Sequence, residues 1–161
     1  MGTIYNGLSK VCNMFLSKIS ISVLNHRVKI GGSMKIIYKK KSKDPVELIV
    51  SRLKDNLEST NFGILWALDL KDKINSKGIE FENDYLIFEI CNPQVAKEIL
   101  NIDLDIGVFL PCKVVVYRES NETVIGMAKP TMLVDLVDTS ARKIAVNLEN
   151  QLKEIIDTVS K

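Results

Sequence analysis

Tyr85-Leu86-Ile87-Phe88-Glu89-Ile90-Cys91-Asn92-Pro93 is the stretch on which the fold turns. Tyr85 to Cys91 reads as a strand, apolar enough on both faces to be largely covered. Asn92 and Pro93 then open a short helix that carries Val95, Ala96, Ile99 and Leu100. A strand running directly into a capped helix requires a domain that mixes sheet and helix.

The flanks repeat that alternation. On the N-terminal side, Lys35 to Lys41 reads as a first strand, and Asp44-Pro45-Val46-Glu47 combines an Asp cap, a Pro at the first helical position and a Glu at the third. Val46, Ile49, Val50, Leu53 and Leu57 line one face of the helix that follows, which ends near Asn61 and Gly63. Ile64 to Leu70 is a strand with Ile64, Trp66, Leu68 and Leu70 expected on one side, and Trp66 in the core. Lys71 to Asn83 is polar and reads as a loop or a partly helical connection. On the C-terminal side, Lys113 to Arg118 and Thr123 to Ala128 form a hairpin across Glu119 to Glu122. Lys129-Pro130 ends the sheet, and Thr131 begins a helical turn. Ala141, Ile144, Ala145, Leu148, Leu152, Ile155, Ile156 and Val159 then give a long amphipathic helix. The order β-α-β-β-α-β-β-α describes an α+β domain: a mainly antiparallel sheet with helices packed on one face.

With 161 residues, 46% of them hydrophobic and 26% charged, the chain suits one globular domain. Its charge is uneven. Residues 1–33 hold four bases (Lys10, Lys18, Arg27, Lys29) and no acid, which leaves 18 bases against 20 acids in the rest, a net of −2. A slightly acidic body argues against a nucleic-acid binder, which needs a basic face. No apolar run approaches the roughly 18 residues of a membrane span. Cys12, Cys91 and Cys112 are too few and too scattered for a secreted disulfide scaffold, so a cytoplasmic protein is expected. Residues 1–33 place Leu8, Val11, Cys12, Phe15, Leu16 and Ile19 at helical spacing, but Gly31-Gly32-Ser33 interrupts before the patterned domain opens at Met34. They are read as an extension outside the fold, with Met34 as the natural start and 34–161 as the single domain.

The only histidine, His26, lies in that extension, so the domain holds no imidazole base, no Ser-His-Asp or Cys-His nucleophile system and no His-ligated metal site. The glycines never take phosphate-loop spacing. No cofactor is expected, and the inventory leans away from catalysis. What remains is a pair of cysteine motifs, Cys91-Asn92-Pro93 and Leu110-Pro111-Cys112. If the strands bearing them pair antiparallel, the end of one meets the start of the other and both sulfurs share a rim of the sheet. A helix N-terminus beside Cys91 would favour its thiolate. Glu89, the odd member of an apolar run, should be partnered or line a cavity. Cys91, Cys112, Glu89 and Asn92 are therefore the candidate constellation, with Cys91 and Cys112 as the ligands if any soft metal binds. Simple packing of the two thiols is the stronger account.

These motifs, with Ala96, Asp105-Ile106-Gly107-Val108-Phe109, Gly63-Ile64-Leu65 and Ala128 to Val137, resemble the domain-of-unknown-function 302 family of bacteria and archaea, over about Met34 to Val159. The resemblance implies an antiparallel sheet packed on helices, similar to the TATA-binding-protein-like folds, and a homodimer. It implies no established reaction. Lys113 stands where the family more typically has Asn, which brings an ammonium toward Cys112 and adds Lys113 to the candidate residues.

The bases Lys39, Lys40, Lys41 and Lys43 read as edge-strand lysines that block aggregation, and Asp69, Asp72, Asp103 and Asp105 as loop or capping residues. The expectation is a non-enzymatic dimer that binds a small molecule or a protein beside the cysteine rim. The alternative is thiol redox or soft-metal chemistry at Cys91 and Cys112.

Overall fold

The computed structural model describes residues 36–161. The expectations for residues 1–33, including His26, Cys12 and the amphipathic stretch, lie outside those residues. In chain order the elements are β1 (Ile37–Ser42), α1 (Val46–Glu58), β2 (Gly63–Asp69), α2 (Leu70–Asn75), β3 (Tyr85–Cys91) and α3 (Pro93–Leu100). A 3-10 segment (Leu104–Phe109), β4 (Cys112–Glu119), β5 (Glu122–Ala128), α4 (Pro130–Val134), a 3-10 turn (Thr139–Ala141) and α5 (Arg142–Val159) complete it. The five strands form one sheet in the order β1-β5-β4-β3-β2, and every pairing is antiparallel. This is the α+β architecture expected from the sequence.

Local chemistry explains the element ends. Asn92 accepts hydrogen bonds from the backbone N–H groups of Gln94 and Val95, and Asp69 and Asp103 do the same for Asp72 and Asp105. The start of α1 differs from the expectation. Pro45 holds the cap position by its backbone carbonyl, and Asp44 instead pairs with Arg52 one face further along the helix.

One face of the sheet carries the core. Phe88, Ile90, Val114, Val116, Ile125 and Met127 point to the helices and meet Ile49, Leu53 and Leu57 of α1 and Leu148, Leu152 and Ile156 of α5. Period-two alternation in the strands and 3.6-residue spacing in the helices put all of these on facing surfaces. The edge strand β1 is tied to α5 on this side. Tyr38 donates to Asp157 at 2.6 Å, and Lys40 pairs with the same carboxylate at 3.1 Å. Glu149 of α5 is also buried here. It accepts from the Thr131 N–H and hydroxyl, and Lys153 supplies its counter-charge. Burial pushes that carboxyl up, but the Lys153 and Thr131 hydrogen bonds outweigh it and hold the carboxyl below its ordinary range.

None of α1, α3, α4 and α5 packs on the other face, since all four bury residues in the core, while the short α2 buries none and touches β2 and β3. Tyr85, Ile87, Glu89, Lys113, Val115, Tyr117, Lys39 and Lys41 alternate onto it. Strand β2 departs from the expected pattern. Its register against β3 shifts between Ile64 and Trp66, so one residue, Leu65, is bulged. Ile64 stays with the core, whereas Trp66 and Leu68 turn to the open face opposite Glu89 and Ile87. Trp66 is 47% exposed and is not a core residue, and Leu70 belongs to α2. Strand β3 is likewise covered by the core-forming helices on one face only.

Candidate functional site

Antiparallel pairing of β3 and β4 puts Ile90 opposite Cys112, so Cys91 ends one strand one step beyond the point where Cys112 begins the next. Cys91 itself lies opposite Gly63 of β2. Both are free thiols. They border one narrow crevice with Phe62, Ile90, Asn92, Val95 and Leu110, whose free space is only about 10 Å³, less than one water molecule requires. Cys112 packs against the core from the helix side, and Cys91 does not take part in that cluster.

The electrostatics run against a reactive thiol. Burial pushes Cys91 above its ordinary value of 9.0. Burial, reinforced by the neighbouring Cys91, pushes Cys112 to about 11. The helix N-terminus does not offset this, because the Asn92 side chain already occupies two of its N–H groups. Asn92 is therefore a cap, buried and engaged. Glu89 and Lys113 are directly opposed across β3 and β4 and form an ion pair at 2.9 Å on the open face. Glu89 is thus partnered, and Lys113 points away from the side on which Cys112 packs. The five candidate residues are neighbours along one rim, but they divide into two half-buried thiols, a helix cap and a surface ion pair. Among the described residues no group of three or more His, Cys, Asp or Glu side chains could hold a metal ion.

A larger cavity adjoins this rim. Its volume is about 210 Å³, and it lies among the 3-10 segment 104–109, the start of β4 at Cys112 and Lys113, Ala128, α4 and Leu148 of α5. The β4–β5 ladder explains its place. Register stops at Val114–Met127, and beyond it come Pro111 on one side and Pro130 on the other, neither with an N–H to continue the pairing. The Leu110–Pro111 peptide is cis. Cys112 is the one candidate residue shared by the crevice and this cleft.

The family model described as Domain of unknown function DUF302 matches residues 38–159. The chain belongs to that family. The crystal structure of an uncharacterized conserved protein DUF302 from Bacillus stearothermophilus is similar at 38% identity, covering 78% of this chain and 98% of that one, with a TM-score of 0.75. No curated protein matches the chain. Family membership thus carries the fold and no assigned reaction. No helix among the described residues is long and apolar enough to cross a membrane.

Reading the sequence missed the cleft walls and Glu149. The signal for Glu149 was present: it sits at the spacing of Ala145, Leu148 and Leu152, on the buried stripe of α5. A carboxylate at such a position needs partners, and Lys153 at i+4 and Thr131 supply them.

Proposed function

We propose that this DUF302 domain works by binding rather than by catalysis, as a homodimeric interaction module whose two copies meet through the uncovered sheet face. One observation carries the reading: an apolar, partly aromatic sheet surface on the side away from the core-forming helices α1, α3, α4 and α5. Trp66, Leu68, Tyr85, Ile87, Val115 and Tyr117 lie there together, and the Tyr85 and Tyr117 rings stack at 5.2 Å. Ile37, at the edge of the same face, is 61% exposed. Contiguous apolar patches of this kind mark interaction surfaces.

The occupant argued for is a second copy. Charges frame the patch in matched pairs, Glu89 with Lys113 at one end and Lys39 and Lys41 with Glu119 and Glu122 at the other. A two-fold axis can set each basic group against an acidic one of the partner. Five strands about 4.8 Å apart and about six residues long give roughly 500 Å² in plan, and side-chain relief brings this toward the ~600–1,000 Å² per partner of stable interfaces. Two such faces would pack as aligned sheets about 10 Å apart.

Sedimentation velocity on the whole chain tests this. A dimer at micromolar concentration is expected, and Trp66→Glu should give a monomer with an unchanged far-UV spectrum. A wild-type monomer at 100 µM would sink the reading. The free thiols fit a reducing compartment, and we assign the protein to the cytoplasm on that ground. Thiol redox or soft-metal chemistry has less support, because both thiols are pushed away from the thiolate form.

A further inference from the structure

We infer that the cleft beside Pro111 and Cys112 is a binding site for a small, uncharged, apolar molecule, a short hydrocarbon chain or single ring smaller than a drug-sized ligand. The site is separate from the sheet face and does not depend on dimerisation. The cleft is open to solvent on one side and holds about 210 Å³, far more than the crevice beside Cys91. Drug-sized pockets begin near ~300 Å³, so the ligand is smaller. Ile99, Ile106, Leu110, Leu133, Val134 and Leu148 supply most of the wall. Water in such a space finds few partners, and an apolar guest replaces it favourably.

The mouth extends the same chemistry outward. Val108, which lines the cleft, is 76% exposed, and Leu104 on the same 3-10 segment is 77% exposed. Across from them Leu136, just beyond α4, is 73% exposed, and the 3-10 segment touches α4. Val108 is thus an aliphatic side chain held in water at the cleft itself, with Leu104 and Leu136 exposed on the segments that carry the wall residues.

Charge selects against an ionised ligand. Lys113 is the one charged residue in the wall, and Glu89 already compensates it. The segments that form the mouth carry Asp103, Asp105, Asp135 and Asp138, of which Asp135 is neutralised by Arg142. A carboxylate head would find no unpaired cation among the residues that line the cleft. The cleft's own thiol, Cys112, stays protonated at neutral pH and adds no charge.

The test titrates the full chain with 1-octanol, using octanoate of the same chain length as the charged control. Displacement of bound N-phenyl-1-naphthylamine and thermal unfolding are read in parallel. Octanol should displace the dye saturably and raise Tm by about 3 °C, with octanoate at least tenfold weaker. Leu133→Trp, which fills the cleft, should abolish both responses and keep a cooperative transition. Val108→Trp, at an exposed position on the mouth, serves the same purpose where Leu133→Trp fails to fold. No saturable response to octanol, equal affinity for octanoate, or full binding by the plugged variant would each overturn the inference. Sedimentation of the same samples keeps this result distinct from the sheet-face reading, since octanol should leave the oligomeric state unchanged.

Discussion

The two faces of the sheet are built from the same kinds of residue and have opposite fates. On one side Phe88, Ile90, Val114 and Val116 are almost fully withdrawn from water beneath α1 and α5. On the other, Ile87, Val115, Tyr85 and Tyr117, their immediate sequence neighbours, are only half-buried, with the two tyrosine rings stacked on each other. Val124 is the one large side chain on that side that is fully buried, and its cross-strand neighbours are Tyr117 and Lys41. The difference teaches that an apolar face records a need for cover without recording who provides it. Helices of the same chain satisfy that need on one side, and the other side is the one proposed for a second copy.

The sharpest way to break this contrast is to truncate adjacent residues of β3. Phe88→Ala should cost about 3–5 kcal/mol in urea unfolding, because it leaves a cavity in a packed layer. Ile87→Ala, one residue away on the open face, should cost the monomer about 1 kcal/mol or less. Equal losses would mean that the open face is covered within the monomer.

Cys112 comes next, as a probe of the covered side. Its folded thiol sits at about 11, above the ordinary 9.0, so the fold favours the protonated form. Its contribution is therefore complete below about pH 9 and is lost as pH rises through 11, on the order of 2–3 kcal/mol in all. Cys112→Ala should flatten that alkaline decline in denaturation midpoint. Native alkylation at pH 8 followed by mass spectrometry should find Cys91 modified before Cys112; the reverse order would contradict the burial described for the pair.

Glu149 gives a smaller effect of opposite sign. Its folded carboxyl lies below the ordinary range, so its stabilisation is present above about pH 4.3 and disappears as pH falls through the folded value. Glu149→Gln should lose about 1–2 kcal/mol at pH 7 and converge on wild type in acid. The smallest change expected is on the open face: Lys113→Met removes an exposed ion pair and should move monomer stability by about 0.5 kcal/mol or less.

Much of this architecture was legible in the residues. The strand and helix order followed from periodicity, and the Asn92 cap and the lysine-rich edge strand β1 followed from the chemistry of single positions. The β2 bulge was not legible, because alternation assumes an unbroken register and Leu65 inserts one residue into it. That insertion moved Trp66 from an expected core position to the open face. The cleft was equally hidden. Its walls come from the 3-10 segment, α4 and α5, which the chain brings together only when folded. Antiparallel pairing of β3 and β4 brings Cys91 and Cys112 to one end of the sheet, but on opposite faces of it. Pattern gives the position of a thiol, and burial decides its acidity.

The outward turn of Trp66 has a practical consequence. It is the only tryptophan in the chain, and it stands half in water on the face proposed for association. Its fluorescence is therefore an intrinsic optical gauge of that surface. Emission should move toward shorter wavelength as protein concentration rises and the indole leaves solvent, and return on dilution. The one-residue bulge at Leu65 thus sets a label-free probe on the surface where the proposed association would be read.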